Sequence, residues 1–174
     1  MKTVHWINLL LLAGVIAVAA LTWRMLPDRI PVHFGIDGQP TRWSGPSVLA
    51  WFGLPIITVL LVAFIYWMAG RLPERPHLVN MPRKDSFLAL PPSRRAPVME
   101  RIQEFMYWAT VPTIAVMGAV QWSMYRSALA GSTGIEILLI LGVCWLIGPG
   151  LMILWSRHVT PELDRQIREN QTAG

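Results

Sequence analysis

A histidine and an aspartate stand four residues apart, His33 and Asp37, in the run L-P-D-R-I-P-V-H-F-G-I-D-G-Q-P-T-R-W that covers residues 26–43. Asp28, Arg29 and Arg42 lie in the same run. A neutral imidazole beside carboxylates can bind a divalent metal, titrate near neutral pH or lock a turn by hydrogen bonding. A transition-metal site normally takes three or four protein ligands, and only His33, Asp37 and Asp28 are at hand locally. The spacing lets the His33 and Asp37 side chains converge, and the reading preferred is that they organise the turn. Ligand recognition or pH sensing is the sharper role, and metal-dependent chemistry the alternative. No catalytic residue, metal ligand set or cofactor is assigned. The sequence carries no H-E-x-x-H, G-x-S-x-G, P-loop or dinucleotide-binding pattern.

The backbone that must hold these side chains is punctuated by Pro27, Pro31 and Pro40 and by Gly35 and Gly38. Proline fixes φ and removes a donor, and glycine admits positive φ, so the run is a structured turn region rather than a helix. Residues 31–34 are β-prone, and Asp37-Gly38 is a tight-turn signal. A small extended or hairpin-like cap is expected here.

The same run carries a resemblance. Leu26, Pro27, Ile30, Pro31, His33, Phe34, Gly38, Pro40 and Trp43 match the pattern L-P-x-x-I-P-x-H-F-x-x-x-G-x-P-x-x-W. That pattern resembles the SdpI-like immunity protein family, a bacterial membrane domain of unknown function found at the N-terminus of SdpI. The resemblance covers roughly residues 10–65. It implies a non-enzymatic role in immunity or cell-surface stress sensing, with a peptide toxin as one class of partner. The family often has an acidic residue where this chain has Thr41, and a lysine after the tryptophan, where this chain has Ser44.

Long apolar segments flank the cap. Residues 4–23, 48–68, 105–125 and 135–155 each hold about 20 residues, enough to cross a hydrocarbon core of ~30 Å. The chain of 174 residues is 53% hydrophobic and 14% charged, against about 25% charged in soluble domains. Trp6, Trp23, Trp51, Trp67, Trp108, Trp122 and Trp155 fall near segment ends, where an indole prefers the interface. The fold expected is therefore all-α and integral to the membrane: four transmembrane helices with a small extracytoplasmic cap between helices 1 and 2. Residues 1–68 form the SdpI-like part with its outer loop at 24–47. A basic cytoplasmic loop (69–104), a second helix pair (105–155) and a tail (156–174) follow. Ala17-Val18-Ala19 resembles a signal cleavage site, but the apolar run continues to Trp23, so the first helix is expected to be retained.

Charge sets the orientation. With both termini cytoplasmic, eleven of the fifteen Lys and Arg residues lie inside and Arg24, Arg29, Arg42 and Arg126 outside, the bias that topology follows. A net charge of +5 would suit nucleic acid in a soluble protein. Here the basic residues sit between apolar segments, so the lipid bilayer is the expected partner and nucleic acid is not. A cytoplasmic regulator and a homo-oligomer stay open as partners, and a small transporter or accessory subunit as a role. Coupled transport is disfavoured, because the apolar segments hold no Asp, Glu, Lys or Arg apart from Glu136 at one edge.

Several local expectations follow. Pro55 kinks the second helix, and Thr58 satisfies the carbonyl that it frees. Residues 80–92 form a short apolar helix or turn on the membrane surface. An interfacial helix starts with Pro97 in the first position. Thr110 and Thr113 relieve a kink at Pro112. Gln121 reaches either headgroup water or another helix. Thr133 and Glu136 form a capping pair. Gly148-Pro149-Gly150 breaks the last span. Cys144 is a small packing residue, and the tail is helical with disorder after Asn170.

Overall fold

The computed structural model describes residues 2–35, 37–133 and 136–172. It is mostly helical, at 80%. Helix α1 (Lys2–Thr22) ends in a 3₁₀ turn at Trp23–Met25, and strands β1 (Ile30–Phe34) and β2 (Pro40–Ser44) follow. Helix α2 (Val48–Arg71) leads through two 3₁₀ turns, Leu72–Glu74 and Pro76–Leu78, into the short α3 (Lys84–Ala89). Helices α4 (Pro92–Ala130), α5 (Glu136–His158) and α6 (Thr160–Thr172) complete the chain.

Three helical stretches are long and apolar enough to cross a membrane: Lys2–Met25, Val48–Glu74 and Leu138–Thr172. The segment expected as a further span lies inside α4, which is not among them. Its apolar run is diluted by Thr110, Thr113, Gln121, Ser123 and Ser127. The packing explains the dilution. Helix α4 lies against α1, α2, α5, α6 and β1, so its polar groups are shielded by protein. Thr110, Gln121, Ser123 and Ser127 are all buried. At Gly118 of α4 a Cβ would stand 3.0 Å from Val15 Cγ2 of α1.

Prolines do not end these helices. Pro55 lies inside α2, Pro97 and Pro112 inside α4 and Pro149 inside α5. Helix α4 starts at Pro92, so Pro97 sits in its second turn rather than at its first position. Gly148-Pro149-Gly150 does not break α5, which runs unbroken to His158. A proline inside a helix removes one hydrogen bond but need not stop the rest, provided the freed carbonyl finds a donor. For Pro55 that carbonyl belongs to Trp51, four residues earlier. The donor is not Thr58, whose hydroxyl bonds the Leu54 carbonyl at 2.8 Å. It is Gln121 Nε2 of α4, 3.4 Å from the Trp51 carbonyl oxygen. Gln121 is fully buried, so it joins two helices rather than reaching headgroup water. At Pro112, Thr110 and Thr113 bond the carbonyls of Tyr107 and Ala109, so neither serves the Trp108 carbonyl that the proline frees.

Trp51 also departs from the aromatic belt. It is fully buried, and its indole Nε1 donates to the Ala19 carbonyl at 2.8 Å. Cys144 is exposed rather than packed. Gly134 and Ile135 lie outside the described residues, so the capping pattern of residues 133–136 falls partly there.

The loop after α2 and the tail fold together. Leu72, Val79, Met81, Phe87, Val98 and Ile102 share one apolar core with Val159, Leu163 and Ile167. Phe87 is fully buried in that core, so protein covers its ring. Two ion pairs flank it, Arg83 with Asp164 and Arg94 with Glu169 at 2.7 Å. Helix α6 continues to Thr172, past the point where disorder was expected.

Candidate functional site

Strands β1 and β2 pair antiparallel, Ile30 opposite Ser44 and Pro31 opposite Trp43, with register shifts on either side of His33. The local chemistry explains the turn. Gly35 N–H donates to the Gln39 carbonyl at 2.8 Å and Gly38 N–H to the Gly35 carbonyl at 2.9 Å. Gly38 has φ +77°, a conformation that side chains with a Cβ resist. The Asp37 carboxylate accepts the Gln39 N–H at 3.0 Å, the Asx-turn contact typical of this residue type. A Cβ at Gly35 would stand 2.7 Å from Asp37 Oδ1, so the turn also needs the missing side chain.

His33 and Asp37 are not partners. His33 Nδ1 lies 2.6 Å from Thr41 Oγ1, across the hairpin. The same hydroxyl is 3.4 Å from the His33 carbonyl oxygen. When the ring is neutral the hydroxyl can donate to Nδ1. When it is protonated Nδ1–H donates instead, and the hydroxyl can turn to the carbonyl. Thr41, which sequence reasoning noted only as a departure from the family pattern, is thus the histidine's partner. Four residues along a tight turn do not bring side chains together as they would along a helix. Arg42 is the register partner of His33, and the irregular pairing on either side of it brings the neighbouring Thr41 hydroxyl to the ring. Asp28 and Arg29 are exposed, as is Arg42. Among the described residues no group of three His, Cys, Asp or Glu converges in the way metal ligands would.

One face of the hairpin is anchored. Ile30 and Pro31 are fully buried. Leu26, Val32 and Phe34 pack beside them on Trp51, Met124, Tyr125 and Ala128. A buried hydrogen bond ties the turn to the far end of α4: Thr133 Oγ1 donates to the Gly38 carbonyl at 2.7 Å. His33, Asp37, Thr41 and Arg42 are exposed. Between β2 and the first turn of α2 runs an open groove of about 390 Å³, with Val32, Arg42, Trp43, Leu49 and Met124 in its walls. Ser47 caps that helix, accepting the Ala50 N–H at 3.1 Å. Of the motif residues, Leu26, Ile30, Pro31 and Phe34 hold the hairpin down, Pro27 and Pro40 are half-buried at its ends, and Trp43 lines the groove.

A second polar cluster was missed. Near the start of α1, Asn8 Nδ2 donates to Tyr66 Oη at 2.8 Å and to the Tyr107 carbonyl at 3.0 Å. His5 Nδ1 lies 3.0 Å from the same Tyr66 hydroxyl. The cluster ties α1, α2 and α4 together in an otherwise apolar zone beside Val4 and Ala69. The signal was present: Asn8 interrupts an apolar run, and His5 lies three residues before it, on the same helical face. Their partners, 58 and 99 residues away, carry no such mark.

The comparisons with known proteins agree with this emphasis on the first third of the chain. Residues 9–59 match a domain of unknown function, DUF1648. An uncharacterised protein of Archaeoglobus fulgidus is 23% identical over 176 residues, covering 97% of this chain and 93% of its own. No solved structure matches. The chain is therefore similar, in α1, the hairpin and the first half of α2, to a domain of unknown function, and along nearly its whole length to an archaeal protein.

Proposed function

We propose that this is a non-enzymatic, four-span protein of the cell membrane that recognises a partner at its outer face, in immunity or cell-surface stress sensing. The observation that carries the reading is the hairpin. The hairpin is pinned to the helix ends by Ile30, Pro31 and the Thr133–Gly38 bond, while His33, Thr41 and Arg42 are exposed and Arg42 lines an amphipathic groove. An anchored hairpin with exposed polar residues beside a groove suits recognition of a partner. Orientation rests on the basic residues, eleven of fifteen on the side away from the hairpin. The fourth crossing is residues 105–125 of α4, where Thr110, Gln121 and Ser123 are buried.

The groove joins apolar walls to the Arg42 guanidinium, so it suits an amphipathic peptide or a lipid-linked molecule carrying negative charge. Cells expressing the chain are challenged with a secreted amphipathic peptide toxin, and survival is scored. Protection is expected from the wild type and is expected to fall at least tenfold with Arg42→Glu or Leu49→Lys at unchanged protein level. Full protection by both variants would move recognition away from this groove. Absence of protection by the wild type would remove the immunity reading.

A further inference from the structure

At the end of the bundle away from the hairpin, α4 and α5 leave a groove of about 440 Å³. Phe105, Trp108, Val111 and Pro112 of α4 and Leu154 of α5 form its apolar length. The two helices run in opposite directions, so Arg101 and Glu104 of α4 meet His158 of α5 at one mouth. A second hollow continues from that mouth past Arg157, Glu162 and Arg165. The charges there do not cancel. Arg101 pairs with Glu104 at 3.2 Å and Arg165 with Glu162 at 2.7 Å. Arg157 and His158 are exposed and have no carboxylate partner among the described residues.

We propose that this groove holds an acyl chain of a bilayer phospholipid whose anionic phosphate lies against Arg157 and His158. Two features select this occupant. The first is the medium: α5 turns Leu146, Met152, Ile153 and Leu154 outward, and among the described residues none of its apolar stretch is buried inside the protein. What surrounds that wall in a membrane is hydrocarbon. The second is the order of chemistry along the groove: apolar for its length, then an excess of positive charge where α5 gives way to the polar α6. That order matches an amphiphile with an anionic head, and basic pockets between membrane helices recognise such heads. The volume lies in the range of small-ligand sites. A zwitterionic head would bring its own cation to Arg157 and lose the advantage.

The test uses the full chain, purified in an uncharged detergent. Dioleoyl phosphatidylglycerol, dioleoyl phosphatidylcholine and chain-free sn-glycerol 3-phosphate are added separately. Thermal unfolding is followed, and native mass spectrometry counts retained lipid. Phosphatidylglycerol at a hundredfold excess over its Kd is expected to raise the unfolding midpoint by roughly 5–10 °C and to survive as a one-to-one adduct. Phosphatidylcholine and glycerol phosphate are expected to do neither. The exposed double change Arg157→Gln with His158→Gln is expected to abolish the selectivity. Leu154→Trp, which fills the groove, is expected to abolish the adduct. Equal response to both lipids, a shift reproduced by glycerol phosphate, or an undiminished response of the double variant would overturn the proposal.

Discussion

Gly38 holds the hairpin turn at φ +77° and gives its carbonyl to buried Thr133. A β-branched side chain strains that backbone, and αL strain in a non-glycine residue costs about 1–3 kcal/mol. Gly38→Val is therefore expected to open residues 30–44 to protease and to lower the unfolding midpoint. Asp37→Asn is expected to leave both nearly unchanged, because an amide oxygen can accept the Gln39 N–H as the carboxylate does. His33 belongs at this scale too. Its ring nitrogen meets the Thr41 hydroxyl across the hairpin at 2.6 Å.

Among the elements, the pairing of α2 with α4 turns on a missing N–H. Pro55 cannot bond the Trp51 carbonyl, and Gln121 supplies the donor from α4. Removing Gln121 leaves a buried carbonyl unpaired, at a cost of about 1–3 kcal/mol. Restoring a backbone N–H should repair that loss. Gln121→Leu alone is expected to destabilise the protein, and Gln121→Leu with Pro55→Ala to recover part of the loss. Coupling between the two positions is expected on the order of 0.6–1.7 kcal/mol, the range of polar contacts between membrane helices. The check is a double-mutant cycle of unfolding in mixed micelles. Strict additivity would mean that the 3.4 Å contact contributes nothing.

For the whole molecule, the joint core of the loop and tail ties the chain's C-terminal helix to its middle. Leu163 is 2% exposed and Val159 and Phe87 are 0% exposed, so the core and not the surface ion pairs carries the attachment. Leu163→Ala is expected to cost about 2–5 kcal/mol, read as proteolysis within residues 75–100. Asp164→Asn, which removes the exposed pair to Arg83, is expected to cost below about 1 kcal/mol. Topology is the other molecular-scale expectation. Reporter fusions after Arg95 and at the C-terminus are expected inside the cell, and an insertion at Gly38 outside. An insertion at Gly38 that reports only from the cytoplasm would invert the arrangement.

The sequence by itself determined the elements whose cause is local. Long apolar runs specify α1, α2 and α5, since hydropathy and length decide whether a helix can lie in lipid. Proline, glycine and the Asp37-Gly38 pair specify the hairpin, since they restrict φ at particular residues. It also singled out the motif at residues 26–43, within the stretch that matches a domain of unknown function. Only the tertiary structure decided which polar groups meet. Thr41 rather than Asp37 meets His33, because the irregular register of the two strands and not sequence spacing sets that neighbour. Gln121 finds Trp51 at a separation of 70 residues, and Asn8 finds the Tyr107 carbonyl at 99. Phe87 is covered by a core completed by Leu163 and Ile167 of the distant tail. Periodicity reports which face of a helix is apolar but not what covers it. In a chain this apolar, where lipid and protein are equally acceptable to a leucine, the few buried polar groups and one missing N–H choose the neighbours.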